Sequence, residues 1–222
     1  EDASGLGLLV ADETGRITEF QEKPPVPKSN LASMGIYIFN KDLLVEELRL
    51  DDANPDSTHD FGGDIIPKLL ADGRRLYTYK FEGFWRDVGT IASFHETSME
   101  LLGEEPSFDL YDDDPIFSNT LSYPPAYFGP DAVVDDCIVG NGSKIYGEAV
   151  HSIVSIDSVI GKGAIVKDSV LLPGAIVKDG AKVINAIVGE NSTIEEGVEF
   201  GSADADKDYT FCGNNVVIGK EE

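Results

Sequence analysis

Cysteine, histidine and tryptophan are scarce in this 222-residue chain, at two, three and one respectively. Cys137 and Cys212 form no CxxC pair and no His/Cys cluster. That argues against a zinc site and a disulfide framework, and leaves two thiols expected in the interior of a protein from a reducing compartment. Basic residues are few as well: 17 Lys and Arg stand against 41 Asp and Glu, for a formal net charge of −24. Nucleic acid and anionic membrane surfaces require basic patches, so neither is an expected partner. No apolar run approaches the roughly 20 residues that span a bilayer, and the opening EDASG is not a signal peptide, so the expected location is cytoplasmic. What remains is a globular composition, 41% hydrophobic and 9% aromatic, sufficient for one large domain or two modest ones. The acidity poses a problem for any anionic ligand, whose charge must be met by local donors; Lys23 and Arg86 are the candidates. A solvated acidic surface that aids solubility is the plainer account of the excess.

Phe20–Phe39, FQEKPPVPKSNLASMGIYIF, is the stretch the first half is arranged to present. An apolar, β-prone run stops at Glu22-Lys23-Pro24, and a second, Ile36–Phe39, begins after Ser33-Met34-Gly35. Pro24, Pro25 and Pro27 cannot donate to a ladder and keep the segment between out of a sheet. Lys23 therefore sits at a strand end, where an ammonium could meet a phosphate, while Gly35 permits close backbone approach. An ordinary hairpin with a surface lysine reads the same residues equally well. Upstream, 6–20 reads as a hairpin turning at Asp12-Glu13-Thr14-Gly15, with Gly7 interrupting its first strand. Residues 40–50 fit a helix capped by Asn40, and IIPKLLADG a short one ended by Gly73. Residues 75–81 alternate as a strand should, and 90–102 read as a helix. His59 and Asp60, being adjacent, do not face one another on a regular element, so a structural role is expected for His59. Asp87 precedes the last helix and reads either as its cap or as an oxygen ligand for a hard cation.

Residues 103–130 are acidic and proline-rich, an extended linker. From Val133 apolar residues recur every six: Val133, Val139, Ile145; then Val154, Ile160, Val166, Leu172; then Val188, Ile194, Phe200. Small or apolar residues follow four places later, including Ser143, Ser158, Ala164, Val170, Ile176 and Ser192. One inward side chain per six-residue face describes a parallel β-helix of triangular section, with phase slips at 151–153 and 178–187 where loops or bulges are expected.

FQEKP, SMGIYIF, HDFGGDIIP at 59–67 and FWRDVGT at 84–90, in that order and spacing, resemble the sugar-1-phosphate nucleotidyltransferases, and among them the bacterial glucose-1-phosphate adenylyltransferases. The resemblance implies an α/β partial nucleotidyltransferase domain over 1–102, a linker over 103–130 and a left-handed β-helix over 131–222. It implies synthesis of ADP-glucose and pyrophosphate from ATP and glucose 1-phosphate, for glycogen, with Mg²⁺ as cofactor. By the same resemblance Lys23 holds the sugar phosphate, and Gly7, sixteen residues before it, touches that phosphate. Glu22 and Ser33 shape the sugar site; Gly35, Asp60 and Trp85 line it; Asp87 is one of two aspartates on the metal; no residue acts as a covalent catalyst. A homo-oligomer, tetrameric in the family, and sugar-phosphate-type allosteric effectors are also implied. Two departures stand out. The family's glycine-rich triphosphate loop and second metal aspartate do not occur, so the chain resembles the later part of that enzyme and is expected to be inactive alone. Gly63 stands where a lysine is usual. Two other functions compete: a non-catalytic regulatory partner subunit, and a hexapeptide-repeat acyltransferase using His151, for which the sequence offers no clear partner.

Overall fold

The computed structural model describes residues 5–111, 116, 117, 119, 121–203 and 209–219. They fall into two compact units, Glu1–Trp85 and Arg86–Glu222. The first unit opens with the expected hairpin, Leu8–Ala11 (β1) against Ile17–Gln21 (β2). Its turn is fastened by Asp12, whose Oδ1 accepts from the Thr14 hydroxyl and from the backbone N–H groups of Thr14 and Arg16. Those bonds, the Thr14 hydroxyl's first, hold the Asp12 carboxyl below the usual carboxylate range. Leu31–Ala32 (β3), which the sequence leaves inside the loop, pairs with the other edge of β1 and makes the order β2-β1-β3.

Lys41–Asp52 (α1) begins where Asn40 accepts from the N–H groups of Asp42 and Leu43. A π-helical turn, Phe61–Ile65, runs directly into Ile66–Ala71 (α2), which packs on β2. Gly73, at φ 70°, closes α2 as its spacing predicts. Leu8, Ile65, Ile66 and Leu69 form the apolar centre. Beside it Glu47 of α1 is buried and accepts from Lys68 Nζ at 2.7 Å, which raises the lysine above its ordinary value.

Two expected strands do not form. Ile36–Phe39 is extended, but no strand pairs with it among the described residues, and Ile36 and Ile38 are 73% and 101% exposed. Alternation sets only which way side chains point, and a strand also needs a neighbour to receive its backbone bonds. Arg75–Phe81 likewise contributes a single bridge, Tyr77 to Arg16, flanked by bonds from Ile17 N–H to Leu76 and from Thr78 N–H to Gly15.

In the second unit Ile91–Met99 (α3) precedes a parallel β-solenoid, consistent with the left-handed coil expected. Each coil is stacked on the one 17 residues before it through most of the solenoid, as in the bonds from Ser169 to Ser152 and Lys178 to Glu195. Three faces of six would need 18, so one face per coil is a residue short. The interior column is therefore Val154, Ile160, Val166, then Leu171, Val177, Val183, then Val188 and Ile194, all fully buried. This corrects the expected phase: Leu172 is half-buried and Ile176 exposed, and it is Leu171 that points inward. The slip recurs in every coil instead of at two isolated places, and a tight corner absorbs it in place of a loop. Asp136, His151, Asp168 and Asn185 occupy that corner with φ between 44° and 50°. A second corner carries Asp157, Gly174, Asn191 and Asn215 in the same conformation, and a third Gly163, Gly180 and Gly197. Only glycine, and more sparingly Asn, Asp and His, tolerates it, which is why those residue types recur in register. Serines line two corners, Ser152 and Ser169 in one, Ser143, Ser158 and Ser192 in another, each buried and bonded to backbone of an adjoining coil. Among the described residues two spacings depart from 17: Val133 pairs with Glu148 across 15 residues, and late in the coil Ala186 pairs with Thr210 across 24, as the bond from Val216 to Ser192 also shows.

Candidate functional site

Glu22, one residue beyond the end of β2, is the centre of the first unit's polar cluster. Its Oε2 lies over Gly7 and Gly62: a Cβ on Gly7 would stand 3.0 Å from it, and one on Gly62 would collide with it. Two residues without side chains thus clear a seat for one carboxylate. The third wall is Ser33, whose N–H donates to the Gly7 carbonyl at 2.7 Å. Ser33 Oγ accepts from Gly35 N–H and shares a hydrogen bond of 3.1 Å with the Tyr37 hydroxyl. Tyr37 is held in turn by stacking on Phe61 at 5.6 Å. Lys23 sits beside this seat with Nζ 3.7 Å from Glu22 Oε1 and two-thirds of its side chain exposed. Its backbone is left-handed, φ 43°, immediately before Pro24. That is a costly conformation for a non-glycine residue, of order 1–3 kcal/mol, and such strain collects at functional sites.

Gly7, Glu22, Lys23, Ser33 and Gly35 are therefore brought together as the sequence groups them. Asp60 adjoins them, its Oδ1 3.3 Å from the position of a Cβ on Gly62. It also caps the π-helical turn by accepting from Gly63 N–H at 2.6 Å. Gly63, where the resembled family carries lysine, supplies that donor. His59 turns away from Asp60: its Nδ1 meets Asp51 at 2.8 Å, a bond that raises the imidazole above its ordinary 6.5. Gly62 and Tyr37 escaped the sequence reading. The GG pair inside HDFGGDIIP is the signal for the first, while Tyr37 lies within a run whose pattern marks only a strand.

Trp85 closes the first unit, half-buried. Asp87 belongs to the second. It does not cap α3: Thr90 does, accepting from Ser93 N–H in a reciprocal capping box. The Asp87 carboxylate accepts from Gly89 N–H at 3.1 Å and is exposed, where a carboxylate oxygen can meet a hard cation. Among the described residues no group of three or more His, Cys, Asp or Glu side chains is placed to hold a metal ion. A single carboxylate fits Mg²⁺ only as that ion is commonly bound, through one or two protein carboxylates with water and substrate phosphates supplying the rest. Arg86, the second candidate for anion charge, pairs with Glu100 at 2.9 Å.

His151 has partners the sequence does not reveal. Its Nδ1 lies 2.8 Å from Asp168 and its Nε2 3.9 Å from Asp136, so it forms a rung across three successive coils. Of the two thiols, Cys212 is buried; Cys137 is half-buried, and burial pushes its thiol up, away from reactivity. No helix among the described residues is long and apolar enough to cross a membrane.

Comparison with known proteins finds two family matches along the chain. Residues 1–104 match the family described as nucleotidyl transferase, and residues 124–218 the one described as GlmU-like, C-terminal hexapeptide. Among curated relatives, the chain is 45% identical over 169 residues to the glucose-1-phosphate adenylyltransferase of Thermotoga neapolitana, covering 75% of this chain and 40% of the relative. It is 48% identical over 168 residues to that of Geobacillus stearothermophilus, covering 75% and 43%, and 46% identical over 167 residues to that of Bacillus subtilis, covering 75% and 44%. The chain thus spans about two fifths of the length of the relatives it matches.

Proposed function

We propose, from the premise that residues 1–104 belong to the nucleotidyl transferase family and are followed by a hexapeptide-repeat domain, that this chain serves the synthesis of ADP-glucose from ATP and glucose 1-phosphate. An oxygen of the sugar phosphate attacks the α-phosphorus of ATP, a P–O bond forms, and pyrophosphate leaves with the electron pair of the bond that breaks. Such a transfer is promoted by positioning and charge neutralisation and needs no covalent nucleophile.

The observation that carries this reading is the seat of Glu22 between Gly7 and Gly62, with Lys23 at its rim. A carboxylate accepts from sugar hydroxyls while the adjacent ammonium meets the phosphate, and the strained Lys23 backbone fixes one relative to the other. Ser33 and Tyr37 offer hydroxyls on the same rim, Gly35 an open approach, and Asp60 a carboxylate shared with its capping bond. Trp85 is assigned to the sugar side by the family resemblance alone. Asp87 would be a ligand of Mg²⁺, which neutralises phosphate charge when bound.

We further place the protein in the cytoplasm as a homo-oligomer, open to sugar-phosphate effectors, and divide it at 102 and 131 by ancestry. Self-association is supported by Ile176 and Val217, exposed apolar residues in one outward column of the coil with Thr193 between them.

Steady-state assay of the whole gene product tests the reading. Lys23→Ala should raise KM for glucose 1-phosphate roughly ten- to hundredfold with a smaller fall in kcat, because it removes charge from the sugar side only. An unchanged KM would sink the assignment of Lys23. A wild-type protein with no adenylyl transfer would turn the reading toward a non-catalytic partner subunit.

A further inference from the structure

The corner column of the coil is also a docking strip for the segment that follows Asp87. His95, buried on α3, meets the backbone carbonyl of Asp168 through Nε2 at 2.8 Å. Tyr209, the residue before Thr210 and hence next above Asn185 in the column, lies against the His95 ring with centroids 4.5 Å apart. Its hydroxyl donates to Glu96 at 3.0 Å. Past α3, Gly103 N–H donates to Asp136 Oδ1 at 2.8 Å. Three separated members of the column therefore hold one stretch of chain, and His151 ties two of them, Asp136 and Asp168, together.

At its other end α3 holds the turn that carries Asp87. Arg86 reaches Glu100, the C-terminal cap residue of α3, and Thr90 is its N-cap. The residues on both sides of Asp87 are thus fastened to the helix, and the helix is fastened to the coil.

We propose that His95 and Tyr209 are positioning residues: by clamping α3 to the corner column they set the direction of the Asp87 carboxylate. The inference rests on the reading of Asp87 as a metal ligand, and its test separates the two. In the whole gene product, His95→Phe keeps a ring against Tyr209 but loses the bond to Asp168, Tyr209→Phe keeps its ring but loses Glu96, and His95→Gln restores an N–H donor.

Hydrogen exchange across residues 87–99 should quicken roughly three- to tenfold in His95→Phe, and less in Tyr209→Phe, with coil amides such as Val166 and Val183 unchanged. His95→Gln should return it close to the native rate. No change at 87–99 in either phenylalanine variant overturns the proposal, and so does equal quickening of the coil. In the assay, His95→Phe should raise the Mg²⁺ concentration for half-maximal rate more than it lowers kcat at saturating Mg²⁺, and this effect should vanish in an Asp87→Asn background. Additive effects overturn the positioning role. If Asp87→Asn alone leaves the Mg²⁺ dependence unchanged, the metal reading of Asp87 falls, while the exchange rates still decide the clamp.

Discussion

The two units reach order by opposite routes. In the coil most strands lie on a copy of themselves 17 residues away, and one solution to the corner is reused at Asp136, His151, Asp168 and Asn185. In the first unit nothing repeats. A three-stranded sheet of short strands, two helices and a π-helical turn are held by particular local arrangements, such as the Glu22 carboxylate seated over Gly62. Repetition spreads stability over many equivalent layers, as nearest-neighbour packing in solenoids does. A unique cluster concentrates function, and with it vulnerability, in a few atoms.

That contrast can be broken at its strongest point first. Ile160 is fully buried between Ile145 and Val177 in the interior column. Ile160→Ala should cost about 2–5 kcal/mol in chemical denaturation, because neighbouring coils cannot collapse into the space. A loss below about 1 kcal/mol would mean the coil repacks freely, against the dense interior described above.

Gly62→Ala addresses the other unit. Its added methyl meets the end of a flexible glutamate, so the fold should lose less than about 1 kcal/mol, whereas the displaced Glu22 should weaken glucose 1-phosphate binding about tenfold or more. Isothermal titration alongside a melting curve separates the two. Equal loss of both would make Gly62 a packing residue only.

A matched pair then compares the units directly. Gly163 in the coil and Gly35 in the loop have φ near 67° and 69° and open space around a would-be Cβ. Alanine at Gly163 should cost about 1–2 kcal/mol, the full left-handed penalty, since the corner is fixed from above and below. At Gly35 the loop can relax, and roughly half that loss is expected. Similar losses at both sites would show the loop to be as rigid as the coil.

The smallest effect is that of pH on the loop before the π-helical turn. Asp51 is held below its usual range by the Ser57 hydroxyl first and then by His59, and His59 is raised chiefly by Asp51. The histidine's contribution is complete below its ordinary 6.5 and is lost as pH climbs through the raised value; the aspartate's is lost as pH falls through its lowered one. Exchange protection of residues 51–60 should therefore be greatest between those limits and decline on the alkaline side as pH passes the raised histidine value. His59→Asn should flatten that alkaline limb; a limb left intact would assign the decline to another group.

The same contrast explains what the sequence made legible. The period of six announces the coil, and Gly, Asn and Asp at the corners announce its turns, but the exact phase was lost because a 17-residue coil is one short of three sixes. A strict period of six therefore points to Leu172 where Leu171 is the buried residue. In the first unit the hairpin, Asn40 as cap and Gly73 as terminator follow from local chemistry. Ile36–Phe39 and Arg75–Phe81 show the limit: alternation marks residues fit for a sheet, and pairing partners decide whether one forms. The grouping of Gly7, Glu22, Lys23 and Ser33 was readable through motif resemblance, whereas the left-handed Lys23 and the seat over Gly62 are three-dimensional facts with no periodic trace. His95 and Tyr209 lie 114 residues apart, beyond any local pattern.

Tyr209 sits on an enlarged coil, while the layers just beneath it share one spacing of 17 residues. Removing one whole 17-residue layer between Asp168 and Tyr209 would leave a sound prism yet lower the tyrosine by one step of about 4.8 Å, out of reach of its ring partner. The solenoid thus works as a ruler: the number of its layers, more than the identity of any one, determines whether the last meets the helix it was measured for.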